Sequence, residues 1–285
     1  MKILYTNFHL YHKGGHATYV LNLFRALSSQ HLIHVADPET SGLHAAMREM
    51  APDCTFAQKF PKRISELFSI FKNAFKFRKL IQQHRYDIVH VNGSPDLQIA
   101  IIARFFLLKK PALVYTKHNS IPISRNIFSV FKFKSAKEII VVCGCQKKPF
   151  IEVGVDAQRV TTVKNGLDTT YFSPWPEAER LKMRKQLGFT EDDLVFVSNA
   201  GTSPYKRWDC MLEAVGRLLH PNIKVLIIGG DPTPEEKARY VDAFSMGAVL
   251  YMSCLLMTRG LILRQEMLVL CFQIKSKRSL LRAVR

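Results

Sequence analysis

Acidic residues are scarce in this sequence. Its 285 residues include 23 Asp and Glu against 41 Lys and Arg, a formal net charge of +18 with a pI near 9.8. Such an excess implies anionic partners: nucleic acid, acidic lipid headgroups or phosphorylated substrates. The modules that would assign the charge to nucleic acid are missing. No Cys and His pairs stand at finger spacing and no aromatic signature of an RNA-binding sheet is present, so nucleic acid is not an expected partner.

Cysteine is thin and scattered. Of Cys54, Cys143, Cys145, Cys210, Cys254 and Cys271, only Cys143-Gly-Cys145 is a close pair. One C-x-C without partner histidines is a weak metal signal. The six read as buried or incidental thiols in a reducing cytoplasm. Long apolar runs are absent too: "IAIIARFFLL" is short and carries Arg104, which excludes a membrane span there. The opening "MKILYTNFHLYHKGG" is too polar, too soon, for a signal peptide. The expectation is a cytoplasmic protein, soluble or peripheral on a membrane. A length of 285 residues favours two domains or one large one, and 47% hydrophobic residues suffice for real cores.

What is present is an alternation. "KILYTNF", "LIHVAD", "YDIVHVNG", "ALVYTKHN" and "EIIVVC" are short apolar strands. Between them lie helical patterns such as "HATYVLNLFRALSSQ", where Val20, Leu23, Phe24 and Leu27 recur at helix spacing. That order predicts an α/β fold with a parallel, doubly wound sheet. Pro174, Pro176 and Asn165-Gly166 then interrupt it. Beyond them "DLVFVSNAG", "WDCMLEAVGRLL", "IKVLIIGGD" and "PEEKARYVDAF" begin a second unit of the same kind. The expected boundaries are 1–165 and 166–285, and the second unit stops being legible just after Phe244.

Three places could carry chemistry. Gly14-Gly15 joins a strand to a helix, where backbone can approach a ligand closely and unpaired N–H groups suit phosphate; a tight turn is the plainer reading. The loop does not spell G-x-G-x-x-G, which disfavours a dinucleotide. His118 follows a strand at its carboxyl end, where open parallel sheets bind ligands. Lys206 lies in the loop after the second unit's first strand, and Gly229-Gly230 ends its second.

The order of these pieces resembles the GT-B glycosyltransferases of family 4, retaining enzymes of bacterial envelope polysaccharide synthesis. "KILYTNFHLYHKGGHATYVLNLFRAL" matches the family's opening strand and glycine loop, "YDIVHVNG" its D-I-V-H-V strand, and Thr116 with His118 its T-x-H. "VKNGLDTTYFSP" matches its hinge almost letter for letter, and "YKRWDCMLEAV" and "LIIGGD" match later motifs. The resemblance covers residues 1 to about 242. It implies two Rossmann-like doubly wound domains, the first on the acceptor side and the second, incomplete here, binding the nucleotide sugar. It further implies that Gly14 and Gly15 approach the sugar-phosphate region and His118 the transferred sugar. Thr202, Lys206, Arg207 and Gly229 would contact the donor, with Lys206 on its diphosphate. The implied partners are a UDP- or GDP-sugar and a lipid-linked, lipopolysaccharide or capsule acceptor, with no metal and no other cofactor. The implied location is the inner face of the cytoplasmic membrane. The sequence departs from the family in three places. Gly201 stands where an arginine is usual, Arg207 where glycine is usual, and the family's paired glutamates are missing after residue 242. An inactive fragment whose first domain binds acceptor or membrane is the alternative reading.

Two stretches raise the membrane question. "KRISELFSIFKNAFKFRKLIQQHR" carries seven Lys or Arg against Glu66, with Ile64, Leu67, Phe68, Phe71 and Phe75 at helix spacing. Either that face packs on the sheet, or it rests on anionic lipid. The tail from Ala243 to Arg285 has seven Lys or Arg and one acid, Glu266. It is expected to be an out-of-frame product and not an anchor. Shifting the codons of Leu261 to Arg285 by one base permits two glutamates at the family's spacing.

Overall fold

The computed structural model describes residues 1–10, 14–62, 64–119, 121–170, 172–198, 206–218, 220–229, 233–238 and 249–253. The chain divides into two compact units, Met1–Gly166 and Leu167–Arg285.

The first unit runs β1 (Lys2–Thr6), α1 (Gly15–Leu27), β2 (Leu32–Asp37), α2 (Gly42–Met50), β3 (Thr55–Ala57), α3 (Leu67–His84) and β4 (Ile88–Val91). It continues through α4 (Ser94–Phe105), β5 (Ala112–Lys117), α5 (Ile127–Lys134), β6 (Glu138–Val141), α6 (Lys147–Glu152) and β7 (Val160–Thr162). The seven strands form one sheet in the order β3-β2-β1-β4-β5-β6-β7, every pair parallel. Both faces are covered. Ile3 and Tyr5 of β1 pack with Val20 and Phe24 of α1 and Met47 of α2. Leu4, between them in sequence, joins Phe77, Ile81, Leu97 and Ile99 from α3 and α4 on the opposite side. A strand buried on both faces has no polar side to alternate with, which is why "KILYT" reads as a continuous apolar run.

Local chemistry sets the helix ends. The Ser41 hydroxyl accepts from the His44 N–H at the start of α2, and Asn126 accepts from the Ser129 N–H at the start of α5; both are ordinary N-caps. Gly93, ahead of α4, is required by close approach: a Cβ there would lie 2.1 Å from the Phe8 ring.

The second unit contains α7 (Glu177–Gln186), β8 (Leu194–Ser198), α8 (Trp208–Gly216), β9 (Ile223–Gly229), α9 (Pro234–Lys237) and β10 (Val249–Ser253). Its described strands pair in parallel in the order β10-β9-β8. Central β9 sends Val225 and Ile227 towards Trp208 and Leu212 of α8. Leu226 and Ile228 point to the other face, against Met183 and Leu187.

Several expectations change. The sheet of the first unit has seven strands where five were read. β3 and β7 are three residues each, too short for a period of two to register. Beyond Phe244, where the sequence pattern is no longer legible, β10 adds a parallel strand beside β9. The thiols of Cys143, Cys145 and Cys210 are exposed and that of Cys54 is half-buried; Cys254 and Cys271 lie outside the described residues. The face of α3 bearing Leu67, Phe68, Phe71 and Phe75 is not packed on the sheet. Phe68 is 84% exposed, and the buried stripe is Ile70, Ala74, Phe77 and Ile81. No helix among the described residues is long and apolar enough to cross a membrane.

Candidate functional site

The strand order of the first sheet reverses between β1 and β4. Connections run outward from β1 to β2 and β3, then return to β4 and proceed the other way. Open parallel sheets bind ligands in the crevice at the carboxyl ends of the two strands where that reversal occurs. Here the two ends are tied together. The Asn92 side-chain amide, just after β4, donates to the Thr6 carbonyl at 2.9 Å. Asp96, in the first turn of α4, accepts from the Thr6 hydroxyl at 2.5 Å and from the Asn92 N–H at 2.9 Å. Thr6, Asn7, Asn92 and Asp96 are all fully buried. Burial pushes the Asp96 carboxyl up to about 6.

His118 completes this group from the end of β5. Its Nε2 lies 3.0 Å from Asn92 Oδ1. Because the Asn92 amide nitrogen already donates to Thr6, the oxygen facing His118 is an acceptor, so His118 carries its proton on Nε2. Nδ1 is then the lone-pair nitrogen. It is buried without a hydrogen-bond partner among the described residues, and so is His16 Nδ1. The His16 and His118 rings are 4.3 Å apart, His9 lies 4.1 Å from His16, and Tyr19 closes over His118 at 4.6 Å. Below them His90 Nε2 bonds the Thr116 hydroxyl at 2.7 Å. Burial drives all these rings towards neutrality. His118 falls to about 4 and His90 to about 4. His16 falls to about 3, through burial first and then the neighbouring His118 and His9. At neutral pH they are uncharged hydrogen-bonding groups.

Gly14 and Gly15 open α1 directly before His16. Gly14 has φ 168°, extended backbone open to any residue, and a Cβ at either glycine would meet nothing within 4 Å. Neither backbone strain nor packing therefore accounts for the pair. The first turn of α1 contains no acid, so its partial positive charge is not neutralised locally.

The structure thus brings His118 and the glycine loop together within the first unit. In the second unit, Lys206 is exposed ahead of α8. Arg207 is the N-cap of α8 with φ 51°, in the left-handed region that favours glycine. Its guanidinium pairs with Asp209 at 3.2 Å. Gly229 ends β9. Thr202 lies outside the described residues. His16, Tyr19, Asn92 and Asp96 were not singled out from the sequence. The available signal was the polar run "NGSPD" immediately after an apolar strand, and a histidine next to the glycine pair. No group of three or more His, Cys, Asp or Glu arranged to hold a metal occurs among the described residues.

Solved structures share this fold. HepE from Anabaena, crystallised with UDP and glucose, is 18% identical with a TM-score of 0.69, covering 89% of this chain and 69% of its own. A glycosyltransferase from Rickettsia africae is 15% identical with a TM-score of 0.74, over 88% of this chain and 68% of its own. These likenesses establish the fold, two Rossmann-like units of the GT-B type. An Escherichia coli UDP-Gal:α-D-GlcNAc-diphosphoundecaprenol α-1,3-galactosyltransferase is 26% identical over 178 residues, 58% of this chain and 46% of that protein. The chain thus spans about half the length of this curated relative. The profile of Glycosyltransferase Family 4 matches residues 13–171, more than half of the 285 residues. The chain belongs to Glycosyltransferase Family 4.

Proposed function

We propose that this protein is a hexosyltransferase that moves a sugar from a nucleotide-sugar donor to a lipid-linked saccharide at an anionic membrane surface, with retention of configuration. The observation that carries the reading is the orientation of His118. Asn92 holds its protonated nitrogen, which leaves Nδ1 as a buried acceptor beside the glycine-opened start of α1. An unpaired buried acceptor costs about 1–3 kcal/mol, and a sugar hydroxyl donating to it would recover that cost. HepE supports a UDP-sugar donor, and the galactosyltransferase supports an acceptor joined to lipid through a diphosphate.

In this reading Gly14 and Gly15 let the α1 N-terminus approach the sugar phosphate, and Lys206 of the second unit holds the donor diphosphate, with Thr202 and Gly229 as further donor contacts. Arg207 contributes less, since Asp209 already engages it. The bond between the sugar's anomeric carbon and the diphosphate breaks, and the acceptor oxygen bonds to the same face of that carbon. The histidines are too weakly basic to take the acceptor's proton, so it passes to the departing phosphate oxygen. Fixed donors and cations stabilise the charge that develops there. The membrane assignment rests on the exposed Phe68, Phe71 and Phe75 of α3, flanked by exposed Lys72, Lys76 and Lys79. Ile127, Phe128 and Phe131 of α5 are also exposed. Each basic residue near an anionic surface contributes about 1 kcal/mol.

Calorimetric titration with UDP and GDP tests the donor assignment. Lys206→Ala should weaken binding by about 1.5–3 kcal/mol, the worth of a charge-assisted hydrogen bond, and His118→Ala should reduce turnover more than nucleotide affinity. Equal nucleotide affinity of Lys206→Ala and parent would remove Lys206 from the site.

A further inference from the structure

The carboxyl ends of β1, β2 and β3 frame two adjoining cavities of about 690 and 530 Å³ that share Lys59 and Ser69. Phe8, His9 and Phe60 line the larger, and Lys62 stands on its wall with Nζ 4.5 Å from the Phe8 ring centre. Lys72, Asn73 and Lys76 of α3 line the smaller. Two acids face the same space. Glu66 accepts from the Lys62 N–H at 3.2 Å, and Glu39 stands opposite α3. Four lysines against two glutamates leave the groove positive. Lys76 is already engaged, donating to the Ala57 carbonyl at 2.6 Å; Lys59, Lys62 and Lys72 are exposed along the rim.

The groove has distinct surroundings at its two ends. At one, His9 belongs to the cavity wall and also to the ring array that continues through His16 to His118. At the other is α3. With 3.6 residues per turn, Ser69 and Asn73 fall on one flank of Lys72, and Phe68, Phe71 and Phe75 fall on the other. Lys72 therefore stands on a crest between the groove and an exposed aromatic surface.

We infer that this groove is the subsite for the diphosphate of a lipid-linked acceptor, held by Lys59, Lys62 and Lys72. The acceptor sugar lies towards His9 and His16, and the hydrocarbon chain leaves over Lys72 onto the phenylalanines of α3. The order sugar, diphosphate, hydrocarbon in such a molecule matches the order polar rings, lysines, aromatics along the surface. A diphosphate offers several acceptor oxygens to lysines that outnumber the two glutamates of the groove, and ammonium groups bind phosphate as point charges. This inference rests on the transferase reading for the identity of the acceptor, but not for the anion site itself.

Farnesyl diphosphate, farnesol and inorganic pyrophosphate, titrated separately into the full chain, form the test. Farnesyl diphosphate should bind more tightly than either of its parts. Lys59→Ala combined with Lys62→Ala, and separately Lys72→Gln, should weaken it by about tenfold or more per lysine. Farnesol and UDP affinities should be unchanged, and circular dichroism should report the parent fold. Undiminished farnesyl diphosphate binding in both variants would overturn the inference, as would farnesol binding as tightly as the diphosphate. Phosphatidylglycerol vesicles separate the acceptor from a lipid headgroup. Variants that lose vesicle binding while keeping farnesyl diphosphate would assign the lysines to the membrane and reject the subsite. A parent chain that binds farnesyl diphosphate but no nucleotide would keep the subsite and sink the transferase reading.

Discussion

The polar groups at the strand ends of the two units are held in different ways. In the first, Thr6, Asn92 and Asp96 are buried and tied to one another across β1 and β4, and His118 hangs from that knot. In the second, Lys206 and Arg207 are exposed, and Arg207 is bonded to a neighbour two residues away. The first arrangement fixes geometry at the expense of desolvating polar atoms; the second keeps charge in water and leaves its geometry to the ligand. Preorganised neutral donors and acceptors suit recognition of sugar hydroxyls, whose bonds are weak and directional. Exposed cations suit a diphosphate, whose field is felt without exact alignment.

Asp96→Ala should separate the two arrangements most strongly. It strands the Thr6 hydroxyl and the Asn92 N–H as buried donors without an acceptor, and should cost about 3 kcal/mol in urea unfolding. Lys206→Ala should leave the unfolding midpoint where it is. Similar losses in both would mean that the buried knot is not structural.

Acidification should expose the same asymmetry with a smaller effect. His16, His34, His90 and His118 have folded values of about 3, 4, 4 and 4, below the ordinary 6.5. The unfolded chain therefore binds more protons, and the stability present above pH 6.5 is lost as pH falls towards 4. Asp96, raised to about 6, acts in the opposite sense and gains stability as pH falls through the same window. Burial lowers His9 in the same way and raises Asp37 along with Asp96, so five rings act against two carboxyls and the net effect is a loss. Replacing His118 with Asn should shallow the decline measured by denaturant titration between pH 6.5 and 4. An unchanged slope would mean that His118 is not held neutral in the folded chain.

The smallest expected effect is at the N-cap of α8. Arg207→Gly removes an exposed ion pair but frees a backbone with φ 51° from its left-handed penalty. Its melting temperature should equal or exceed the parent's, and a clear drop would show that the Asp209 pair outweighs the backbone.

These tests also mark where the sequence was readable. His118 follows an apolar strand and Gly15 opens an amphipathic helix, so local pattern suffices for both. Asp96 could not be found that way, because its partner Thr6 is 90 positions away and nothing local shows that the carboxyl is buried. Helix α3 was recognisable, but not which side it packs. It is apolar on two flanks, and periodicity alone does not say that Phe77 is buried while Phe68 is exposed. Arg207 was visible as a departure from the family's glycine; only the positive φ shows why glycine is usual there.

The placement of β1 at the sheet's centre has a consequence for synthesis. β1 leaves the ribosome before either neighbour, and Lys2 bonds Asp87, 85 positions later, at the start of its second neighbour, β4. At about 5–20 residues per second, roughly 4 to 17 seconds pass between translation of the two. Through that interval an apolar strand has at most one of its two edges paired. Nascent chains stalled before and after Val91 should differ in protease resistance at β1, because the later chain alone can close the sheet on both sides of it.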